Sequence, residues 1–161
     1  MGVQIKANLL KTKDEEQRKA LNAWVKETNC MGSLIAGTGF GKSRCGVLAI
    51  NKMLTGDNSR GLVLVPTQQL QTQFKEEFIK WDCEDILDKV DIMCYQSAYK
   101  LKDNYYNIVI CDEIHLGLSP EYRKFFKNNS WDKLLCMTAT PPEEIEYKDY
   151  LYKIAPLAYR I

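Results

Sequence analysis

Five short apolar runs alternate along the chain with segments whose apolar positions recur at helical spacing. The runs are "GSLIA" (32–36), "GLVLVP" (61–66), "VDIMCY" (90–95), "NIVICDE" (107–113) and "KLLCMTAT" (133–140), each short enough to be a buried strand. Before the first, "KDEEQRKALNAWVKET" carries Ala20, Leu21, Trp24 and Val25 at helical spacing, with acids in its first turn. "KSRCGVLAINKML" predicts a helix that ends before Gly56-Asp57. "TQQLQTQFKEEFIKW" puts Leu70, Phe74, Phe78 and Trp81 on one face behind an N-cap at Thr67 or a neighbour. "QSAYKL" reads as a helical turn, and "SPEYRKFFKNN" as a helix with Ser119 as N-cap and Pro120 at its first position. The tail from "EEIEYKDYLYKI" onward is polar and tyrosine-rich, and its pattern assigns no definite element.

Apolar strands separated by amphipathic helices predict an α/β fold, a doubly wound, mostly parallel sheet with helices on both faces. The 161 residues suit one domain, with no internal repeat, low-complexity segment or linker. Composition agrees: 45% apolar and 27% charged residues is ordinary globular usage. No apolar run approaches the roughly 20 residues of a membrane span, and the N-terminus lacks a secretory pattern. "MGVQIK" has lysine where a myristoylation signal needs Ser or Thr.

Six cysteines without a C-x-x-C pair sit mostly inside apolar runs, which reads as buried thiols in a reducing, cytoplasmic-type compartment, the nucleus included. The net charge of +1 gives no global sign of nucleic-acid affinity. Residues 1–80 carry 12 basic and 7 acidic residues and the remainder 10 and 14, so +5 is set against −4. A local basic surface is compatible with this split, which by itself establishes none.

Ligands of such sheets bind beyond the carboxyl ends of the strands, and the unusual residues fall there. After the first strand comes Ala36-Gly37-Thr38-Gly39-Phe40-Gly41-Lys42-Ser43. The glycines let backbone N–H groups approach a phosphate, and the following helix adds its positive end. Lys42 is placed to reach β- and γ-phosphate oxygens and Ser43 to bind Mg2+. Ala36 replaces the glycine that opens the strict form of this loop, a mild departure. After "NIVIC" come Asp112-Glu113-Ile114-His115. An acidic pair at a strand end is commonplace; two strands after a phosphate loop, Asp112 reads as a Mg2+ holder through water and Glu113 as the base that deprotonates the attacking water.

In order, Ala-x-x-Gly-x-Gly-Lys-Ser, Asp-Glu-Ile-His and Thr138-Ala139-Thr140 resemble motifs I, II and III of superfamily 2 helicases of the DExH type. Pro66-Thr67-Gln68-Gln69-Leu70-Gln71-Thr72-Gln73 is similar to motif Ia, and "CYQSAY" (94–99) to a segment of the DNA-translocating branches. The resemblance runs from about Gln17 to Thr140 and implies a RecA-like P-loop NTPase domain that binds ATP and Mg2+. It implies ATP contacts from Gly37, Thr38, Gly39, Phe40, Gly41, Lys42 and Ser43, metal contacts from Ser43 and Asp112, and catalysis by Glu113 and Lys42. Gln17 would hydrogen-bond the adenine edge; as a plain residue it is a polar position on a helix's exposed side. His115, Thr138 and Thr140 would couple the γ-phosphate state to nucleic acid. Thr67, Gln68, Gln96 and Ser97 would contact the sugar–phosphate backbone of a single strand, DNA more than RNA, and read equally as helix caps. Uncharged donors suit a motor that must hold any sequence and let go.

Motors of this family carry a second RecA-like domain that supplies an arginine to the transferring phosphoryl group. Only 21 residues follow Thr140, with one arginine, Arg160, so the second domain is expected in cis or in trans from elsewhere. The chain is therefore expected to bind ATP and hydrolyse it poorly, as a fragment or a natural half. A nucleotide-dependent regulatory module without motor activity is the alternative. A small P-loop kinase is disfavoured, since no lid or arginine-rich acceptor pocket is evident.

Overall fold

The computed structural model describes residues 2–161, with side chains described from residue 12. Six strands form one sheet: β1 (Met31–Ile35), β2 (Gly61–Val65), β3 (Val90–Cys94), β4 (Tyr105–Cys111), β5 (Ser130–Thr138) and β6 (Leu157–Arg160). Their order is β3-β2-β4-β5-β1-β6, and every pairing is parallel. Helix α1 (Gly2–Thr28) precedes β1, and five α-helices connect the strands: α2 (Lys42–Met53), α3 (Gln68–Lys80), α4 (Tyr95–Ala98), α5 (Lys124–Asn128) and α6 (Ile145–Ile154). Among the described residues no helix is long and apolar enough to cross a membrane.

Successive side chains of a strand face opposite sides, so the two faces carry separate cores. Val63, Val65, Ile108, Ile110, Leu135 and Met137 pack with α1, α2 and α3 through Trp24, Ile50, Phe74 and Phe78. Leu62, Leu64, Val109, Cys111 and Cys136 pack with α4, α5 and α6 through Tyr95, Phe125, Phe126 and Leu151. The continuous apolar runs of β2 and β4 follow from this, because both faces are covered. All six cysteines are buried and free.

The first helix departs from its expected face. Gln17, Ala20 and Trp24 are buried, whereas Val25 is 39% exposed. Trp24 Nε1 donates to the Leu134 carbonyl at 2.9 Å, and this bond ties α1 to the middle of β5. On α3, Thr67 caps the helix by accepting from the Leu70 N–H. Ser119 accepts from the Tyr122 N–H as a cap would, yet regular α-helix begins only at Lys124. The tail without an assigned pattern forms α6 and the edge strand β6. There the Ser33 hydroxyl donates to the Ala155 carbonyl and the Tyr159 hydroxyl to Glu16.

Replacing Trp24 by Phe removes the α1–β5 bond and leaves a small gap in a closed core. Urea unfolding should register a loss of about 1–3 kcal/mol; a loss below about 0.5 kcal/mol would show that α1 is held without it.

Candidate nucleotide site and strand-end cluster

Parallel strands bring every carboxyl end to one edge of the sheet. Read along that edge, the α4 turn follows β3, Thr67 follows β2, Asp112 follows β4, Thr138 closes β5, and the glycine loop follows β1. The predicted residues thus lie in one row although the chain visits them in another order.

The glycine loop is shaped by two residues in the left-handed region, Gly39 (φ 88°) and Gly41 (φ 87°), the latter directly preceding α2. A Cβ at Gly41 would also run into the Gln17 amide, so glycine is required there twice over. Lys42 is buried and folds back into the loop, its ammonium donating to the carbonyls of Ala36 (2.9 Å) and Gly37 (3.2 Å). Gly37, Thr38 and Gly39 are exposed, while Phe40 and Ser43 are half-buried.

Gln17 sits on the inner side of α1, not on its exposed side. Its Nε2 donates to the Phe40 carbonyl at 2.9 Å and its Oε1 accepts from Arg44 at 2.8 Å. Arg44 also pairs with Asp14 at 2.9 Å and lies over the Trp81 ring. Gln17 therefore braces the loop from behind, with one amide hydrogen left over. A cleft of about 440 Å³ between α1 and α2, lined in part by Asp14, Arg18, Leu21 and Lys52, adjoins this group at Arg44.

Asp112 is buried at the end of β4. Burial pushes its carboxyl up to about 6, the charge of Glu113 adds to this, and the Glu113 N–H and the Lys42 ammonium pull it back. Glu113 has φ 49° and ψ 51°, a left-handed conformation that an ordinary residue adopts at a cost of about 1 kcal/mol or more. Such a kink turns the chain out of the strand directly after Asp112. The 3-10 turn Ile114–Leu116 follows.

His115 Nδ1 lies 2.7 Å from Thr138 Oγ1 and 3.6 Å from Glu113 Oε2. The Thr138 hydroxyl hydrogen goes to the Thr140 carbonyl (2.9 Å), and the same oxygen accepts from the Thr140 N–H (3.0 Å). With the hydrogen on the Thr140 carbonyl, Nδ1–H donates to Thr138; in the other tautomer Nδ1 accepts the same hydrogen. The Ala36 N–H in turn donates to the Thr138 carbonyl, which joins the start of the glycine loop to β5. Glu113, His115, Thr138 and Thr140 are thus one connected cluster.

Thr67, Gln68, Gln96 and Ser97 are all exposed, on the turns after β2 and β3, which are paired neighbours. They stand at the other end of the row from the glycine loop. Sequence reasoning missed Tyr95. Its buried hydroxyl donates to the Asp112 carbonyl at 2.8 Å, and its ring fills the space beside Gly117. Adjacency to Gln96 and Ser97 was visible; the partner 17 residues away was not.

Among the described residues no cluster of three His, Cys, Asp or Glu side chains is arranged to hold a metal. Mg2+ is usually held by one or two carboxylates together with substrate phosphates and water, and the donors at this edge are the Ser43 hydroxyl and the Asp112 carboxyl. A buried carboxyl with a raised affinity for a proton, beside a second acid, is also a site that a cation would relieve.

The family model described as "DEAD/DEAH box helicase" matches residues 14–105, more than half of the chain, and "Type III restriction enzyme, res subunit" matches residues 82–143. No curated protein sequence matches. Among solved structures, the UvsW helicase from bacteriophage T4 aligns with a TM-score of 0.62 at 16% identity, over 83% of this chain and 54% of that one. The Hef helicase domain of Pyrococcus furiosus aligns at 0.65 and 17% identity, over 95% and 38%. The Sulfolobus solfataricus SWI2/SNF2 ATPase core, solved in complex with dsDNA, gives 0.62 and 18%, over 83% and 33%. At these identities the likeness shows the fold, and this chain spans about half or less of the length of those structures.

The raised carboxyl of Asp112 has a consequence for stability. Its folded value of about 6 exceeds the ordinary 3.8, so its contribution is fully present below the ordinary value and is lost as pH rises through 6. Asp112→Asn removes the buried charge and should stabilise the metal-free chain by on the order of 1–3 kcal/mol at pH 8. The gain should vanish near pH 4. Denaturation at the two pH values measures the difference, and equal effects at both would show that the carboxyl is not desolvated.

Proposed function

Because this chain belongs to the DEAD/DEAH box helicase family, as a superfamily 2 RecA-like domain, we propose that it is the nucleotide-binding half of an ATP-dependent DNA helicase or translocase. One observation carries the reading: the Asp112–Glu113 pair, the Thr138 hydroxyl and the glycine loop with its inward lysine stand side by side on one sheet edge, the loop bonded to Thr138 and Thr138 to His115 beside Glu113.

ATP phosphates would lie against the backbone of Gly37, Thr38, Gly39, Phe40 and Gly41, at the start of α2. Lys42, now on two loop carbonyls, would exchange them for phosphate oxygens. Ser43 and Asp112 would hold Mg2+, which supplies charge neutralisation for the phosphates. Glu113, swung out of the strand by its backbone, would orient and deprotonate the attacking water. Gln17 would use its remaining amide hydrogen on the adenine. His115, Thr138 and Thr140 would report the state of the γ-phosphate to the polymer end.

The polymer would lie across Thr67, Gln68, Gln96 and Ser97. DNA is favoured over RNA by the resemblance of the motif set to the DNA-translocating branches. The second RecA-like domain, in cis or in trans, would bring the arginine. An arginine of that kind is worth about 10³–10⁵ in rate, so the chain alone should bind Mg-ATP and turn it over slowly.

Titration of Mg-ATP into wild type and Lys42→Ala tests the loop, with a loss of about tenfold or more expected from one charged phosphate contact. With the second domain supplied, Glu113→Gln should keep that affinity and lose about 10²–10⁴ in turnover. Undiminished binding by Lys42→Ala removes the phosphate site, and undiminished turnover by Glu113→Gln removes the base. Nucleotide binding with no DNA-stimulated turnover, second domain present, would identify a regulatory module instead.

A further inference from the structure

Four of the ten basic residues that follow residue 80 line one groove: Lys100 and Lys102 on one side, Lys124 and Lys127 on the other. Tyr99 and Asn128 complete its lining, and its volume is about 480 Å³. The concentration stands out because that half of the chain is net acidic, 10 against 14. All four lysines are exposed, and none forms an ion pair among the described residues. Lys100 lies 5.7 Å from the Tyr99 ring centroid, and the Tyr99 hydroxyl is engaged with Glu121. Four like charges around one concavity repel one another, and a polyanion seated there would relieve the repulsion.

The groove has fixed walls. Asn129 Nδ2 donates to the Leu101 carbonyl at 2.9 Å and to the Phe125 carbonyl at 3.0 Å, and its Oδ1 accepts from the Asn104 N–H at 3.0 Å. The Asp103 N–H donates to the Asn128 carbonyl at 2.8 Å. One asparagine thus staples the 100–104 segment to the end of α5, so the two lysine pairs keep their spacing before any partner arrives. The groove runs from the end of the α4 turn, where Tyr99 and Lys100 follow the exposed Gln96 and Ser97, toward the amino ends of β4 and β5, into which residues 100–104 and 124–129 lead.

We infer that this groove is a second, electrostatic contact for the sugar–phosphate backbone of the nucleic acid strand that passes over the α4 turn. The inference rests on the proposed nucleic-acid role of Gln96 and Ser97. Those two hold a backbone without charge, and the lysines beyond them hold the adjoining phosphates by charge, independent of base sequence. Together they would lengthen the footprint and set the salt dependence of binding.

Fluorescence anisotropy of the chain with labelled oligo-dT of about 8 and about 24 nucleotides, across a salt series, tests this. Wild type should bind the longer oligonucleotide more tightly and with the steeper salt slope. Each single-strand phosphate contact contributes about 0.7 to that slope. Lys124→Gln with Lys127→Gln should therefore flatten it by about 1.4, and all four Lys→Gln changes by about 3. Most of the gain from length should go with them, while the thermal midpoint stays put because the side chains are exposed. Gln96→Ala with Ser97→Ala should weaken both oligonucleotides and leave the slope unchanged. If the lysine variants keep slope and length gain, the groove inference falls and the α4 reading survives. If wild type binds neither oligonucleotide, both fall. Poly-L-glutamate binding that needs the four lysines, with oligo-dT binding that does not, would assign the groove to an acidic protein and overturn the inference.

Discussion

All six strands run the same way, and this constraint organises everything else in the molecule. A parallel sheet buries both faces, leaves its side chains nothing to do but pack, and moves chemistry to the strand ends. Here the carboxyl edge carries the exposed turns after β3 and β2, the acids after β4, the threonines at the end of β5 and the glycine loop after β1. Chain order and spatial order differ because β4 and β5 insert between β2 and β1. The result is an edge with exposed polar turns at one end, a glycine loop toward the other and the Glu113–His115–Thr138 cluster between them.

That middle cluster owes its shape to a few backbone events. The left-handed turn at Glu113 takes the chain out of the strand line directly after Asp112, and His115 returns toward β5. Tyr95 fixes the Asp112 carbonyl from the β3 side, and the Ala36 N–H fixes the Thr138 carbonyl from the β1 side. A shift of Tyr95 reaches Asp112 through a direct bond, and a shift of the glycine loop reaches Thr138. The raised carboxyl of Asp112 belongs to the same arrangement: holding an acid in a dry strand end is costly until a cation arrives.

Legibility in the sequence followed the range of the interaction. β1 to β5 were visible because each is a local apolar run, and the glycine loop and the Asp112–His115 segment because their chemistry needs contiguous residues. The cap at Thr67 acts over three residues and was visible too, whereas the bond that Ser119 accepts from the Tyr122 N–H precedes a helix that begins only at Lys124. β6 was not: its four residues carry little burial, and only pairing with β1 makes them a strand. The inward position of Gln17 was hidden because its partners are Phe40 and Arg44, 23 and 27 residues away. The same holds for the lysine groove, whose two pairs are brought together by Asn129 and whose charge disappears in an acidic half.

The distribution of charge now has a physical reading that net charge alone concealed. Basic groups near the nucleotide end are mostly occupied within the protein, Lys42 by loop carbonyls and Arg44 by Asp14 and Gln17. Those around the groove beyond α4 have no acid paired with them among the described residues. A lysine already confined by its loop suits a tight contact in one geometry. The solvated lysines of the groove, on a rigid frame toward the amino ends of β4 and β5, suit contacts that are each weak, screened by salt and indifferent to sequence. The two places use the same residue type in opposite environments, and burial decides which kind of contact each lysine can make.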